Sequence, residues 1–214
     1  KLKKGESVGL VGANGVGKST LLRILVGLNT GFQGDVMVNN IPLEKKNLKT
    51  IRKNVGYVFQ DADSQLFMST VFDDVAFAPR NYGMSEAEVN EKTMEALKVV
   101  HIEQLKDKQI YKLSGGEKKL ASIATILSTE PDVILMDEPS VALDPKNRRN
   151  LINILNQLNQ AKIIASHDLN MIMDTCERTI LLSDGKVIKD GNTKEILLDK
   201  ELMEESGLEL PLGY

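Results

Sequence analysis

Gly12-Ala-Asn-Gly-Val-Gly-Lys-Ser19 is the stretch of sequence that decides the fold. It follows the short β-branched run Ser7–Val11 and leads into Lys18–Val26, a segment with a helical pattern that ends before Gly27. The order is therefore strand, glycine-rich loop and helix. A glycine, four residues and then Gly-Lys-Ser is the P-loop pattern, and the strand and helix are the context that this pattern requires. The sequence predicts a loop whose backbone binds phosphate.

Each part of the P-loop has a chemical role. The glycines let backbone N–H groups converge on phosphate oxygens, and the N-terminus of the following helix adds the positive end of its dipole. Lys18 is expected to contact the β- and γ-phosphates of a nucleoside triphosphate, and Ser19 to be a ligand of Mg²⁺. A glycine-rich turn arising by chance is the alternative, and we discard it because such matches occur in roughly one chain per hundred or fewer. The predicted nucleotide-binding residues are Asn14, Gly15, Val16, Gly17, Lys18, Ser19 and Thr20.

The composition excludes several classes of protein. With 214 residues and a net charge of -3, the chain has no broad cationic surface, so we expect no nucleic-acid partner. The longest apolar runs, such as Val133–Met136, are far shorter than the roughly 20 residues needed to cross a bilayer. A single cysteine, Cys176, excludes an internal disulfide framework. The chain begins at Lys1 without a methionine, so we expect that it is cut from a longer protein.

Strands and helices alternate along the rest of the chain. The apolar runs Val133–Asp137 and Lys162–Ser166 predict buried parallel strands with polar residues at their C-terminal ends. Ser85-Glu-Ala-Glu88 is a capping box that begins one helix, and Asp144-Pro145 begins another, with proline at the favoured first position. The Asp184-Gly185 turn predicts a hairpin near the end of the sheet. The predicted fold class is α/β, with a mostly parallel sheet and some antiparallel strands.

Polar residues stand where two of these strands end. Asp137 and Glu138 follow the first, at the sheet edge where ligands of α/β proteins bind. Asp137 is expected to hold Mg²⁺ through water, and Glu138 to be the catalytic base that activates the water attacking the γ-phosphate. His167 follows the second strand and is expected to hydrogen-bond the γ-phosphate or that water. A solvated acidic turn before Pro139 is the alternative, which we favour only for an Asp-Glu-Pro without a P-loop.

A second glycine-rich stretch is Leu113-Ser-Gly-Gly-Glu117, which we call the twin-glycine segment. Ser114 and Glu117 have the spacing of a capping box, and a helix through Leu127 follows. A cap does not explain two glycines in the first turn, because each costs up to about 1 kcal/mol relative to alanine in a helix. The pattern predicts that another group approaches this backbone closely.

Together these residues resemble the ABC ATPase family, since the P-loop, Gln60, the twin-glycine segment, Asp137-Glu138 and His167 occur in that family's order. The resemblance implies a P-loop NTPase (RecA-like) core with an inserted helical subdomain. It also implies that Ser114, Gly115 and Gly116 bind the ATP held by a partner protomer, that Asp144 lies at the dimer seam, and that Gln60 contacts Mg²⁺ and the attacking water. The alternatives are a polar loop residue for Gln60 and a helix cap for Asp144, which is compatible with a place at the seam.

The resemblance also predicts the domain organisation. Residues 1–200 would be the ATP-binding domain, with a core of about residues 1–60 and 129–200 and a helical lobe of about residues 61–128. Residues 201–214 would begin a C-terminal extension. In this family the aromatic residue that stacks on adenine precedes the position where this chain begins, so none is assigned.

A looser similarity concerns the type of transporter. The stretches Val55–Phe67 and Val71–Phe77 are similar to the ATPases of cobalt, nickel and energy-coupling-factor (ECF) vitamin importers. This implies a homodimer or a heterodimer with a related ATPase, at the cytoplasmic face of the membrane, moving an integral membrane subunit. Leu66, Phe67 and Phe72 would form an apolar groove for that subunit, or else belong to the core of the lobe. A soluble ATPase of iron–sulfur assembly remains an alternative, and an ATPase of DNA repair would need a coiled-coil or zinc insertion that the sequence lacks.

Overall fold

The computed structural model describes residues 1–213, which divide into two units. The first unit contains residues 1–57, residues 132–140 and the chain from residue 159 onward, and the second contains residues 58–131 and 141–158. The strands are β1 (Ser7–Val11), β2 (Met37–Val38), β3 (Ile41–Pro42), β4 (Val55–Val58), β5 (Val133–Asp137), β6 (Ala161–Ala165), β7 (Arg178–Ser183) and β8 (Lys186–Asn192). The helices are α1 (Lys18–Leu25), α2 (Leu48–Asn54), α3 (Val71–Asn81), α4 (Glu86–Val99), α5 (Gly115–Leu127), α6 (Pro145–Gln157), α7 (Leu169–Thr175), α8 (Thr193–Leu197) and α9 (Lys200–Glu205).

Parallel pairing of distant segments builds the main sheet, whose strand order is β4-β5-β6-β1-β7-β8. β1 pairs with β6, starting at Ser7 and Lys162, and β5 pairs with β6 as far as Asp137 and Ala165. Because β1, β5 and β6 are parallel, their C-terminal ends meet at one edge of the sheet. The P-loop after β1 and the polar residues after β5 and β6 therefore lie along the same edge, as the sequence predicts.

Two antiparallel hairpins complete the strands. β7 and β8 pair through Asp184 and Gly185, whose φ angles of 48° and 71° are those that a tight hairpin turn requires. β2 and β3 pair through Asn39 and Asn40, which also have positive φ angles, of 49° and 63°. The mostly parallel sheet with antiparallel strands confirms the predicted fold class.

The second unit is mainly helical. The helices α3, α4 and α5 pack against one another, and the Ser128 hydroxyl after α5 donates to the Val75 carbonyl of α3 at 2.9 Å. Each helix has a polar cap: Thr70 for α3, and complete capping boxes from Ser85 for α4 and Ser114 for α5. Both capping boxes are those that the sequence predicts. The buried apolar side chains of the second unit include Val71, Val75, Val89, Leu97, Val100, Leu120, Ile123 and Ala124.

The alternatives for the apolar groove of the second unit can now be separated at Leu66. Leu66 is buried, whereas Phe67 is 65% exposed, so Leu66 belongs to the core and not to an exposed groove. The tail contains two short helices, α8 and α9. The last residue of the predicted C-terminal extension, Tyr214, lies outside the described residues. Within residues 1–213, none of the helices has both the length and the apolar character needed to span a membrane.

Candidate active site

The P-loop owes its path to glycine at two positions in particular. A Cβ on Gly12 would stand 2.4 Å from the carbonyl oxygen of Leu182 and 2.9 Å from Val16 Cγ1, so any side chain there would clash. Gly17 precedes α1 with a φ of 108°, in the left-handed region that favours glycine. These two residues let the chain turn back sharply between β1 and α1.

The start of α1 fits a bound phosphate. No side chain caps this helix at Gly17, so its first N–H groups have no acceptor from a capping residue. The buried Lys18 amine donates to the carbonyls of Gly12 at 2.6 Å and Ala13 at 3.2 Å, which holds its charge over the loop. A positive helix end and an ammonium group on the same loop are the donors that a triphosphate requires.

The next residue of α1 reaches the end of β5. The Ser19 hydroxyl donates to Asp137 Oδ1 at 2.9 Å, and the Tyr57 hydroxyl donates to Asp137 Oδ2 at 3.0 Å. A hydroxyl and a carboxylate are oxygen ligands that suit Mg²⁺, which uses one or two carboxylates together with phosphates and water. The residues therefore fit Mg²⁺.

Tyr57 was not predicted from the sequence. Its side chain is buried, and burial together with the negative charge of Asp137 raises the pKa of Tyr57 to about 12. The phenol therefore stays protonated and continues to donate to the carboxylate. No sequence signal marked this tyrosine, because its approach to Asp137 depends on β4 lying next to β5 in the sheet.

Glu138 has an unusual backbone for a non-glycine residue. Its φ is 47°, and its N–H donates to the Ala165 carbonyl at 2.8 Å, which extends the pairing of β5 with β6 by one bond. Oε2 of this buried carboxylate accepts from the Ser166 hydroxyl at 3.2 Å and from the His167 N–H at 3.1 Å. The residues after β6 thus fix the orientation of the Glu138 side chain.

His167 also contacts Glu138 directly. Its Nδ1 lies 2.7 Å from Glu138 Oε2, and its side chain is 60% exposed while that of Glu138 is 9% exposed. Such a pair can hold and move a proton at the mouth of the sheet. The sequence predicted both residues at this edge, and the structure brings them into contact. Ser166, which completes the arrangement, was missed because a serine at a strand end carries no distinct signal.

The twin-glycine segment lies in the second unit. The Ser114 N–H donates to Glu117 Oε2 at 2.7 Å, and the Glu117 N–H donates to the Ser114 hydroxyl at 3.3 Å. A Cβ on Gly116 would stand 2.6 Å from Asn147 Nδ2, so an approach from within this chain already explains that glycine. A Cβ on Gly115 would meet only the Ala142 carbonyl, at an ordinary 3.9 Å. Contacts within this chain therefore explain why position 116 is glycine, but they do not explain why position 115 is.

Asp144 is the cap of α6, as the sequence predicts. Its Oδ1 accepts from the Asn147 N–H at 2.9 Å, and its Oδ2 accepts from Asn147 Nδ2 at 2.6 Å. Donation from the Asn147 N–H lowers the pKa of the Asp144 carboxyl. The same asparagine therefore supports both the start of α6 and the close approach to Gly116.

Gln60 lies just beyond β4, on an exposed part of the second unit. Its carbonyl accepts from the amine of Lys119 at 2.7 Å, and the Phe59 carbonyl accepts from the same amine at 3.0 Å. Lys119 is buried on α5, five residues after Ser114, and was not predicted as a site residue. Its charge fixes the backbone that carries Gln60.

The structure thus groups the predicted residues into two sets. The first unit holds the P-loop with Asp137, Glu138 and His167, and the second holds Gln60, the twin-glycine segment and Asp144. Along the P-loop and the first turn of α1, Asn14, Gly15 and Thr20 are exposed, and Val16, Gly17 and Ser19 are half-buried.

Known proteins resemble this chain over most of its length. The model of the ABC transporter family matches residues 1–141. A protein of Geobacter sulfurreducens, provisionally assigned as an ABC transporter ATP-binding protein, is 49% identical over 100% of this chain and 86% of its own length. The energy-coupling factor transporter ATP-binding protein EcfA of Methanocaldococcus jannaschii is 41% identical over 99% of this chain and 77% of its own length.

Solved structures give the same result. CbiO1 of Clostridium perfringens, part of the ABC transporter complex CbiONQ, superposes with a TM-score of 0.85 at 36% identity, covering 96% of this chain and 84% of that one. A bacterial ABC transporter cassette solved as a dimer superposes with a TM-score of 0.80 at 30% identity, covering 90% and 88% of the two chains. Together with the P-loop geometry, these likenesses show that the chain belongs to the ABC transporter family and is one of its ATPase subunits.

Proposed function

We propose that this chain binds Mg-ATP, dimerises on it, hydrolyses the γ-phosphate and thereby moves the membrane subunit of an importer, of the cobalt/nickel or ECF vitamin type. The observation that carries the proposal is the contact of Glu138 with His167, at the sheet edge where the P-loop ends. A triphosphate site with a carboxylate–histidine pair beside it is equipped for hydrolysis as well as for binding.

ATP binding is assigned to the P-loop and α1. The N–H groups of Asn14, Gly15, Val16, Gly17, Lys18, Ser19 and Thr20 would surround the phosphates, and the Lys18 amine would turn from the Gly12 carbonyl to the β- and γ-phosphates. Ser19, Asp137 and Gln60 would hold Mg²⁺, directly or through water. When bound, Mg²⁺ neutralises charge on the phosphate oxygens.

Hydrolysis is assigned to Glu138 and His167. The Glu138 carboxylate would accept a proton from the attacking water, because its Oε2 is held in place by Ser166 and by the backbone of His167. His167, which is more exposed, would donate to the γ-phosphate and orient Glu138 through Nδ1. Neither role requires movement of the buried strand ends.

Dimerisation is assigned to the second unit. Ser114 and Gly115 are exposed at the start of α5, where a helix end and a hydroxyl suit a phosphate of the partner protomer. Gly116 and Asp144 would lie beside them at the dimer seam. The dimeric form of the bacterial cassette that this chain resembles supports the assignment. The partner would be a second copy or a related ATPase.

The import role draws on the two relatives whose names indicate it, EcfA and the CbiO1 part of CbiONQ. We propose that residues 61–128 form the lobe that contacts the membrane subunit, that residues 1–60 and 129–200 form the ATPase core, and that residues 201–214 begin an extension. Phe67 and Phe77 support the contact, because both are exposed and their rings meet edge to face with centroids 4.9 Å apart. The chain would then act at the cytoplasmic face of the membrane.

The variant Glu138→Gln tests the catalytic assignment. It should retain ATP binding, lose nearly all turnover and accumulate as a dimer with ATP, because glutamine keeps the shape of the side chain but accepts no proton. Lys18→Ala is the contrasting variant and should weaken ATP binding itself. Steady hydrolysis by purified Glu138→Gln would remove Glu138 as the base. Co-purification with a membrane protein would separate the importer from a soluble assembly ATPase.

A further inference from the structure

A lysine outside all the residues discussed so far binds the twin-glycine segment. The amine of Lys108 donates to both carboxylate oxygens of Glu117, at 3.1 Å each. Glu117 in turn accepts from the Ser114 N–H at 2.7 Å. The three residues form a continuous chain of charge-assisted hydrogen bonds that ends at the backbone of Ser114.

The position of Lys108 is itself fixed by backbone bonds. Its carbonyl accepts from the Val71 N–H at 3.1 Å, and the Lys106 carbonyl accepts from the Phe72 N–H at 2.8 Å. On the other side of Lys108, the Ile110 N–H donates to the Ser69 carbonyl at 3.2 Å. The Lys108 side chain therefore extends from a segment whose backbone is hydrogen-bonded to the start of α3.

The charge of Glu117 needs an explanation. A capping box is completed equally well by glutamine, so the cap does not require a carboxylate at this position. Hydrogen bonds, first from the Ser114 N–H and then from Lys108, lower the pKa of Glu117, and it stays ionised at neutral pH. An ionised carboxylate next to Ser114 repels any triphosphate that approaches this helix end, unless a cation balances it.

We infer that Lys108 is a positioning residue for ATP bound across the dimer. Its amine cancels the charge of Glu117 and fixes the twin-glycine segment in front of the partner's triphosphate. The inference rests on the proposed function, because it requires that Ser114 and Gly115 meet ATP held by a partner protomer. It assigns Lys108 no contact with the nucleotide and no part in the chemistry.

ATP-dependent dimerisation of the purified chain tests this, in the Glu138→Gln background so that the nucleotide is not consumed. Lys108→Met should raise the ATP concentration for half-maximal dimerisation about threefold to tenfold, because the pair is lost in both sites of the dimer. Lys108→Arg, which keeps the charge, should stay within about twofold of the parent. Lys106→Met is the matched control, since it removes the same charge from the same loop and should also leave dimerisation within about twofold.

Glu117→Gln separates charge from packing. With glutamine at position 117 the cap remains, so adding Lys108→Met should change the ATP requirement by less than about twofold. Higher salt should likewise shrink the effect of Lys108→Met in the parent, as expected for a charge effect. An undiminished effect in the Glu117→Gln background, or equal effects of Lys108→Met and Lys106→Met, would overturn the inference and leave the proposed function standing. If the Glu138→Gln parent forms no dimer with ATP, the proposed function fails first and the inference fails with it.

Discussion

Alanine at position 115 and alanine at position 116 should have different effects on the free energy of unfolding. A Cβ on Gly116 would stand 2.6 Å and 2.8 Å from side-chain atoms of Asn147, which is also bonded to Asp144. Displacing Asn147 costs on the order of 1–3 kcal/mol, partly offset by up to about 1 kcal/mol of helix propensity. We expect Gly116→Ala to lower the free energy of unfolding by about 1–2 kcal/mol. Gly115→Ala meets no such contact and should leave it unchanged or raise it by up to about 1 kcal/mol.

Both substitutions should impair dimerisation, whatever their effect on the fold. A methyl group on Gly115 would push the partner's phosphate from the backbone, and one on Gly116 would displace Asn147 and disturb the same helix start. Either change weakens a charge-assisted hydrogen bond of roughly 1.5–3 kcal/mol, so the ATP requirement should rise about tenfold or more. Urea denaturation of the nucleotide-free chain gives the stabilities, and ATP-dependent dimerisation in the Glu138→Gln background gives the binding. Gly31→Ala is the control, since Gly31 is exposed and a Cβ there would meet nothing within 4 Å. A stable Gly115→Ala that dimerises like the parent would refute the reasoning.

Three further results are expected. Tyr57→Phe should lower the free energy of unfolding by about 1.5–3 kcal/mol in urea denaturation, because Asp137 loses a hydrogen-bond donor. The exposed control Tyr111→Phe should lower it by at most about 0.5 kcal/mol. Equal losses in the two variants would contradict this prediction. The folded-state pKa of Tyr57, about 12, exceeds the unfolded value of about 10, so its contribution is complete below pH 10 and is lost as the pH rises to 12. Between pH 10 and pH 12, the free energy of unfolding of Tyr57→Phe should therefore fall by about 2–3 kcal/mol less than that of the wild type in the same assay. Parallel plots of stability against pH for the two proteins would argue against this. Lys119→Met should lower the free energy of unfolding by about 1–3 kcal/mol, because it removes a buried charged donor. Lys118→Met, whose partner is exposed, should lower it by at most about 1 kcal/mol. Thermal denaturation distinguishes the two, and a Lys119→Met variant as stable as the parent would contradict the role of that amine.

Local patterns predicted much of the fold. The strand before the P-loop, the helix after it and the capping boxes at Ser85 and Ser114 all depend on residues close together in sequence, and the structure has each of them. Boundaries differ by a residue: α1 ends at Leu25, and β6 begins at Ala161. Such shifts are expected because apolar runs do not mark the last hydrogen bond of an element.

The contacts that were missed join residues far apart in sequence. Tyr57 donates to a carboxylate 80 residues away, and Lys119 donates to carbonyls 59 and 60 residues away. Such pairs depend on which strands and helices become neighbours, and no periodicity encodes that. The β2–β3 hairpin is different, since its Asn39-Asn40 turn was a local signal that could have been used.

The twin-glycine segment shows where a correct pattern had an incomplete explanation. Both glycines pointed to an outside group approaching the backbone, yet Asn147 alone accounts for Gly116. Asn147 lies 31 positions further along and is brought there by the start of α6, so the sequence could not separate the two glycines.

The central place of β1 in the sheet has a consequence for synthesis on the ribosome. Among β1 to β8, β1 is translated before the others, but its two neighbours contain residues 162–165 and 178–181. Its hydrogen bonds must wait until nearly the whole chain has been translated, at about 5–20 residues per second. The nascent P-loop therefore spends many seconds without a sheet to hold it, and a chain that stops before β7 should be exposed to chaperones and proteases. The helices α3 to α5, whose contacts are closer in sequence, can form while β1 still waits.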